Sequence, residues 1–185
     1  MSVFEQLFSN LNSLKLKRKI AVQKETTDQI EILKNKGFDV LSVTQTEKAN
    51  LIMYRHFLDD IPEEEEIFIS IGISVITPKG RSGRDPVLKA FFKNNFTTIS
   101  LEDIEMADSF INQGLGSMLL NALLDIAKKR NIRRITGEIS RVDIGHIERL
   151  VHFYEKHNFE VTLCSNPTDG YKIGDLVWNN SGIGH

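Results

Sequence analysis

The sequence predicts a single α/β domain of the α+β kind, in which amphipathic helices cover a central sheet. Its 185 residues, 41% of them hydrophobic, suffice for one domain that buries about 70% of the surface of the unfolded chain. A β-rich run at 96–106 is followed by two closely spaced glycines and then by a helical pattern. Apolar runs at 67–76 and 132–140 have the composition of further strands. These observations predict one domain over residues 1–185.

Composition argues against several functional classes. The formal net charge is −2, so the chain has no electrostatic field that attracts nucleic acid or an anionic membrane surface. No apolar run approaches the roughly 20 residues that a membrane span requires. The only cysteine, Cys164, excludes an internal disulfide, and we expect it to be a small buried hydrophobe. The prediction is a cytoplasmic protein without nucleic-acid or membrane partners.

The first half of the chain offers elements but no chemical motif. Helical spacing predicts two helices within 3–36, the second ending at Gly37, and a short strand over 38–43. Residues 49–57 fit either a helix or a buried strand, so the fold of 44–60 stays open. The run Glu63–Glu66 is interpreted as solvated loop charge before the strand at 67–76. Residues 78–86 form a Gly/Pro loop, and 87–95 are expected to be a short helix or irregular.

Two glycines organise the second half. Gly114 and Gly116 open an amphipathic helix that continues to Arg130. A strand, a glycine loop and a helix in this order direct free backbone N–H groups and the positive end of a helix dipole at one point, which suits a phosphate. A dinucleotide fingerprint would need a glycine at Leu119, and the Gly-Lys-Ser/Thr of a Walker loop is absent.

The remaining elements follow in order. We expect a strand over 132–140, a helix over 143–157 capped at Asn158, and a closing hairpin in which 160–164 and 171–178 flank a turn at 166–170. The histidines of this helix, His146, His152 and His157, lack the i, i+4 spacing that places two ligands on one helix face. No metal site is predicted.

Two motifs resemble those of the GNAT superfamily of N-acetyltransferases. Ile111-Asn-Gln-Gly-Leu-Gly116 resembles its motif A, Arg/Gln-x-x-Gly-x-Gly/Ala, although Ile111 stands where the family has Arg or Gln. Residues 146–159 resemble motif B: Tyr154, Lys156 and Phe159 match, while Ile147 and Asn158 replace an asparagine and a glycine. Together the motifs cover residues 96–159.

The resemblance implies a mixed, mostly antiparallel central sheet with a V-shaped splay between two central strands, and a hairpin of the strands at 67–76 and 96–106 with a long connection. It implies acetyl-CoA as co-substrate and a primary amine of a small molecule or peptide as acceptor, in a monomer or homodimer. Residues 1–95 would form the acceptor side and 96–159 the CoA-binding half. The pantetheine arm would lie along Ile104 and Met106. The pyrophosphate would lie on a loop formed by Ile111, Asn112, Gln113, Gly114, Leu115, Gly116 and Ser117.

Transfer of an acetyl group needs a proton acceptor for the amine and a donor for the leaving thiolate. The family often has a carboxylate on the strand that carries Glu102, Asp103 and Glu105. Strand alternation places Glu102 on the face of Ile104 and the other two on the opposite face, and we rank Glu102 first. Tyr154 is the candidate general acid implied by motif B. The alternative is a protein of this fold that binds CoA or a partner without catalysis.

Overall fold

The structure is a computed structural model that describes residues 3–56, 65–164 and 171–182, with side chains from residue 13 onward. Three helices and nine strands lie in these ranges. The helices are α1 (Val3–Asn35), α2 (Leu115–Lys129) and α3 (Ile147–Glu155). The strands are β1 (Phe38–Gln45), β2 (Asn50–His56), β3 (Phe68–Thr77), β4 (Gly80–Arg81), β5 (Val87–Lys93), β6 (Thr98–Glu105), β7 (Arg134–Ser140), β8 (Glu160–Leu163) and β9 (Lys172–Asn179).

The strands form one mixed sheet in the described residues. The spatial order is β1-β2-β3-β5-β6-β7-β9-β8, and the short β4 pairs with β3. Neighbours are antiparallel except for β6 and β7, which run parallel. Parallel neighbours need a crossover, and α2 supplies it. The α+β class and the mostly antiparallel sheet are therefore confirmed.

The two faces of the sheet carry different helices. On one face, α2 and α3 pack on the large core, to which β3 contributes Ile69, Ile71 and Ile73. On the other face, α1 covers β1 to β3 through a smaller cluster around Leu33, Ile52 and Ile76. We call these the α2 face and the α1 face. On the α1 face the side chains of β5 and β6 reach solvent, as Phe91 does.

The prediction of two helices within 3–36 is wrong, because α1 is one helix of 33 residues. Its sequence contains neither Gly nor Pro, and the basic run at 15–19 in its middle consists of good helix formers. The helix ends as expected at Gly37, whose φ of +78° is the left-handed conformation of a C-terminal cap.

The expectation of a helix or irregular chain over 87–95 is also wrong. Residues 87–93 form β5, which buries Leu88, Ala90 and Phe92 on the α2 face. This strand lies between β3 and β6, so the strands at 67–76 and 96–106 are not hairpin partners. Residues 44–60, whose fold the sequence did not decide, contain the strand β2 over Asn50–His56.

Burial differs from expectation at two polar positions. Glu66, interpreted as solvated, has a side chain only 1% exposed, and its Oε2 lies 2.9 Å from Nη2 of Arg55, whose side chain is also buried. Glu63 and Glu64 lie outside the described residues. Cys164, expected to be buried, is exposed at the end of β8.

The C-terminal elements follow the sequence closely. Helix α3 is preceded by a 3₁₀ turn over Arg141–His146, and Asn158 has the left-handed φ of +62° expected after a helix. Strands β8 and β9 pair antiparallel as predicted, while their turn at 166–170 lies outside the described residues. Within the described ranges, no helix is long and apolar enough to cross a membrane.

Candidate active site

The two parallel strands separate at one point. Strands β6 and β7 pair from Thr98–Arg134 to Leu101–Gly137, and no further. Both strands continue, β6 to Glu105 paired with β5 and β7 to Ser140 paired with β9. Beyond Leu101 the facing backbone edges therefore have no strand between them. This is the splay that the resemblance implied.

A β-bulge in β6 changes which faces the three carboxylates occupy. Lys89 lies opposite Asp103, but the next residue of β5, Ala90, lies opposite Leu101, so Glu102 is the extra residue. Asp103 and Glu105 lie on the α1 face with Lys89 by register, and Oε1 of Glu102 lies 3.7 Å from Nζ of Lys93 on that face. The expectation that Glu102 shares the face of Ile104 is wrong, because a bulge interrupts strand alternation.

The three carboxylates have different surroundings. Glu102 is exposed and faces Lys93. Glu105 accepts hydrogen bonds from Lys89 and Arg84, and these, led by the bond from Lys89, hold its pKa below the ordinary value. Asp103 is solvent-accessible, but protein atoms remove part of the hydration of its carboxyl group and raise its pKa. A backbone hydrogen bond and Lys89 oppose this rise, whereas the charges of Glu105 and Asp143 add to it. The pKa of Asp103 is thus raised, whereas that of Glu105 is lowered.

Tyr154 lies on α3 and belongs to the large core. Its residue is 9% exposed, and its ring lies among Phe153 and Phe159, with centroids 5.0 and 5.4 Å away. Burial raises the pKa of the phenol, and the charges of Asp103 and Asp143 raise it further. Among the described residues the hydroxyl has no hydrogen-bond partner. Tyr154 therefore keeps its proton at neutral pH.

Asp143 is a residue that the sequence interpretation missed. Its Oδ2 accepts hydrogen bonds from the backbone N–H and the hydroxyl of Ser140, each 3.1 Å long. The two residues form a capping box at the end of β7, where the 3₁₀ turn begins. The pattern Ser-x-x-Asp at 140–143 was a visible signal for this cap. It places a carboxylate beside the β7 edge of the gap.

The glycine loop forms the predicted start of a helix. Gly114 is the N-cap of α2 with φ +79°, and no side chain caps the helix. In the described part of the chain, the N–H groups of Leu115, Gly116 and Ser117 have no hydrogen-bond acceptor. Asn112 also has positive φ, at +63°. The loop thus presents several donors of one helix end to the same place.

Other loop side chains have structural roles. Nε2 of Gln113 donates to the carbonyl of Ser109 at 2.6 Å, which closes the loop. A Cβ on Gly116 would lie 3.3 Å from Cε of Met106 and 3.5 Å from Cε2 of Phe153, so a bare glycine lets the helix start lie close to the end of β6. Ile111, the departure from motif A, is half-buried and supplies no polar group. The described residues contain no group of three His, Cys, Asp or Glu arranged to hold a metal ion.

The segment that contains the gap and the glycine loop matches a known protein family. Residues 87–159 match the family model described as Acetyltransferase (GNAT) family, which covers β5 through α3 and therefore the gap, the glycine loop and Tyr154. The resemblance to the GNAT superfamily is thereby confirmed for this part of the chain. Members of this family use acetyl-CoA as their co-substrate.

One relative and several solved structures are also similar to this chain. Uncharacterized protein YocC of Bacillus subtilis (strain 168) is 44% identical over 59 residues, which are 32% of this chain and 36% of that protein. The match thus spans about a third of that relative. The crystal structure of PaiA N-acetyltransferase from Thermoplasma acidophilum in complex with coenzyme A has a TM-score of 0.46 at 16% identity. The match covers 62% of this chain and 62% of the PaiA chain, which is less than two thirds of the length of PaiA. A GNAT family acetyltransferase from Elizabethkingia anophelis with acetyl-CoA bound has a TM-score of 0.46 at 14% identity, over 70% of this chain and 98% of that one.

Proposed function

We propose that the protein is an N-acetyltransferase that transfers the acetyl group of acetyl-CoA to a primary amine by direct attack. The observation that carries this proposal is the position of the gap between β6 and β7 beside the uncapped start of α2, within the segment that matches the family. One feature offers backbone edges to an extended chain, and the other offers donors to a phosphate.

Acetyl-CoA would bind across these two features. Its pyrophosphate would accept hydrogen bonds from the N–H groups of Leu115, Gly116 and Ser117, helped by the dipole of α2. Its pantetheine arm would enter the gap and pair with backbone groups at Ile104 and Met106. The thioester would then lie near the free end of β6, where Asp103 is located, and the proposal requires Tyr154 of α3 to reach it. Residues 1–95 would then shape the acceptor side.

We assign the role of base to Asp103, with Glu102 as the alternative. An alkyl ammonium ion has a pKa near ~10, so it must lose a proton before it attacks. Asp103 combines a raised pKa with a position on the free part of β6, whereas Glu105 is held by Lys89 and Arg84. The amine nitrogen attacks the thioester carbonyl, the C–S bond breaks, and Tyr154 stabilises or protonates the leaving thiolate.

Two measurements test the proposal. Acetyl-CoA should raise the melting temperature of the protein, and a panel of primary amines should release free thiol from acetyl-CoA. A protein with no thermal shift would not be an acetyl-CoA binder, and the proposal would fail at its first step. A thermal shift without thiol release across a broad panel would favour the binding-only alternative. The apolar Ile111, in place of an arginine or glutamine, is the observation in its favour.

A further inference from the structure

Strands β4 and β5 pair antiparallel with the same strand, β3, and a bulge separates them. Ile76 lies opposite Arg81 in one pairing, and Gly72 lies opposite Val87 in the other. Between these two pairs, three residues of β3 face five residues, 82–86, so two residues are extra. Backbone hydrogen bonds of 2.8 and 3.0 Å hold both ends of this segment against β3. We call residues 82–86 the β4–β5 bulge; extra residues of this kind redirect side chains out of the regular pleat.

The β4–β5 bulge turns Asp85 toward β2. Oδ2 of Asp85 accepts a hydrogen bond from the hydroxyl of Tyr54 and another from Nη2 of Arg81, each 2.8 Å long. Tyr54 crosses β3 to make this bond, and it can do so because Gly72 has no side chain. A Cβ on Gly72 would lie 2.3 Å from Cζ of Tyr54. The glycine and the bulge together bring the phenol and the carboxylate into contact.

The carboxylate of Asp85 is only partly satisfied. Its side chain is 6% exposed, and its second oxygen, Oδ1, is buried and accepts no hydrogen bond within the described ranges. A buried carboxylate oxygen without a donor costs free energy, so an acid at this position indicates a role other than stability.

The neighbouring residue of the β4–β5 bulge reaches the opposite way. Nη2 of Arg84 donates to Oε2 of Glu105 at 2.6 Å, and Lys89 donates to the other oxygen of the same carboxylate. Glu105 is the last residue of β6, on the part of this strand beyond Leu101 that β7 no longer pairs with. The bulge therefore connects β2, through Asp85, with the free end of β6, through Arg84.

We propose that the β4–β5 bulge positions the free edge of β6 for acetyl-CoA, with Tyr54, Asp85 and Arg84 as positioning residues. The inference rests on the proposed function, in which the pantetheine arm pairs with backbone groups at Ile104 and Met106. Strand β7 gives this edge no support, so contacts from the β5 side hold it in place. Residues that do not touch the co-substrate thereby control its affinity.

A double-mutant cycle tests the connection. Tyr54→Phe keeps the ring on Gly72 but removes the bond to Asp85, and Arg84→Ala removes the bond to Glu105. Each variant should raise the Kd of acetyl-CoA, measured by calorimetry, by about threefold, the size expected for contacts that are partly exposed. Because both act through one bulge, the double variant should also show about threefold rather than about ninefold. The controls are Tyr171→Phe and Arg133→Ala, at exposed positions.

Amide hydrogen exchange without acetyl-CoA separates positioning from a loss of global stability. Both single variants should exchange faster than the wild type at residues 103–105, while residues 135–139 of β7 keep their rates. Unchanged Kd values, a ninefold change in the double variant, or equal acceleration in both segments would overturn the proposal. If the wild type itself does not bind acetyl-CoA, the proposed function fails, and the exchange rates still decide whether the β4–β5 bulge holds β6.

Discussion

Gly137 lies directly opposite Leu101 in the last register pair of β6 and β7, and a Cβ built on Gly137 would be 3.2 Å from the carbonyl oxygen of Leu101. The glycine therefore lets the parallel strands approach closely at the point where they separate. Backbone atoms cannot move away as the end of a flexible side chain can. The position of the gap thus depends on the absence of one side chain.

Gly137→Val should destabilise the protein and disturb the vertex of the gap. We expect the free energy of unfolding to fall by about 1–3 kcal/mol, because the added methyl groups meet Leu101 and Leu176 in a packed core. Urea denaturation measures the change. The control is Gly145→Ala, since a Cβ at Gly145 meets no atom within 4 Å. Similar stabilities for the two variants would contradict the close-approach argument.

Gly116→Glu should abolish the thermal shift produced by acetyl-CoA. The new carboxylate would stand at the uncapped start of α2, where it would occupy the donors and repel a pyrophosphate. Circular dichroism should remain near that of the wild type, because the closest atom is the flexible end of Met106. Asn121→Glu, exposed farther along the same helix, is the matched control. Retained acetyl-CoA affinity in a folded Gly116→Glu protein would show that the pyrophosphate does not bind at the start of α2.

Asp103→Asn should slow turnover most near neutral pH, by ~100-fold. A base works only when deprotonated, so wild-type activity should fall as pH drops through the pKa of Asp103. Partial burial raises that pKa, which places the acidic limb above the ordinary range of an aspartate. The variant should lose this limb and recover activity as pH rises and the amine deprotonates unaided. The pH–rate profile should be little changed in Glu102→Gln. If Glu102→Gln loses the acidic limb and Asp103→Asn keeps it, Glu102 is the base.

Tyr154→Phe should keep the fold and acetyl-CoA binding but lose turnover by ~100-fold, the usual effect of removing a general acid. Its ring packs between Phe153 and Phe159, so phenylalanine preserves the shape of the core. Steady-state thiol release is the measurement, with the exposed Tyr171→Phe as control. Turnover within a few-fold of wild type would leave Tyr154 as a packing residue.

Glu66→Gln should lower the free energy of unfolding by about 3 kcal/mol, because it removes the buried negative charge that lies 2.9 Å from the guanidinium group of Arg55. The neighbouring Glu65 is exposed, so Glu65→Gln should change stability little. Chemical denaturation of both variants gives the comparison. Equal midpoints would show that the 2.9 Å pair adds nothing to stability.

Local patterns predicted the parts of the molecule that depend on local forces. The glycine loop, α2 and the strands at 68–77 and 134–140 follow from periodicity and from the conformational freedom of glycine. Strand β5 was also visible, since Leu88, Ala90 and Phe92 alternate with half-buried or exposed residues. It was missed because a short apolar run fits several structures, and only pairing with β3 and β6 decides among them.

The sequence by itself determined the order of elements from β6 to α3 and the glycine loop, because these depend on spacing along one helix or turn. The resemblance to motif B made Tyr154 a candidate. Tertiary structure decided the rest. The bulge at Glu102 and the burial of Glu66 against Arg55 both depend on segments that are distant in the chain. Strand register and solvent exclusion bring such groups together, and neither leaves a periodic signal in the residues themselves.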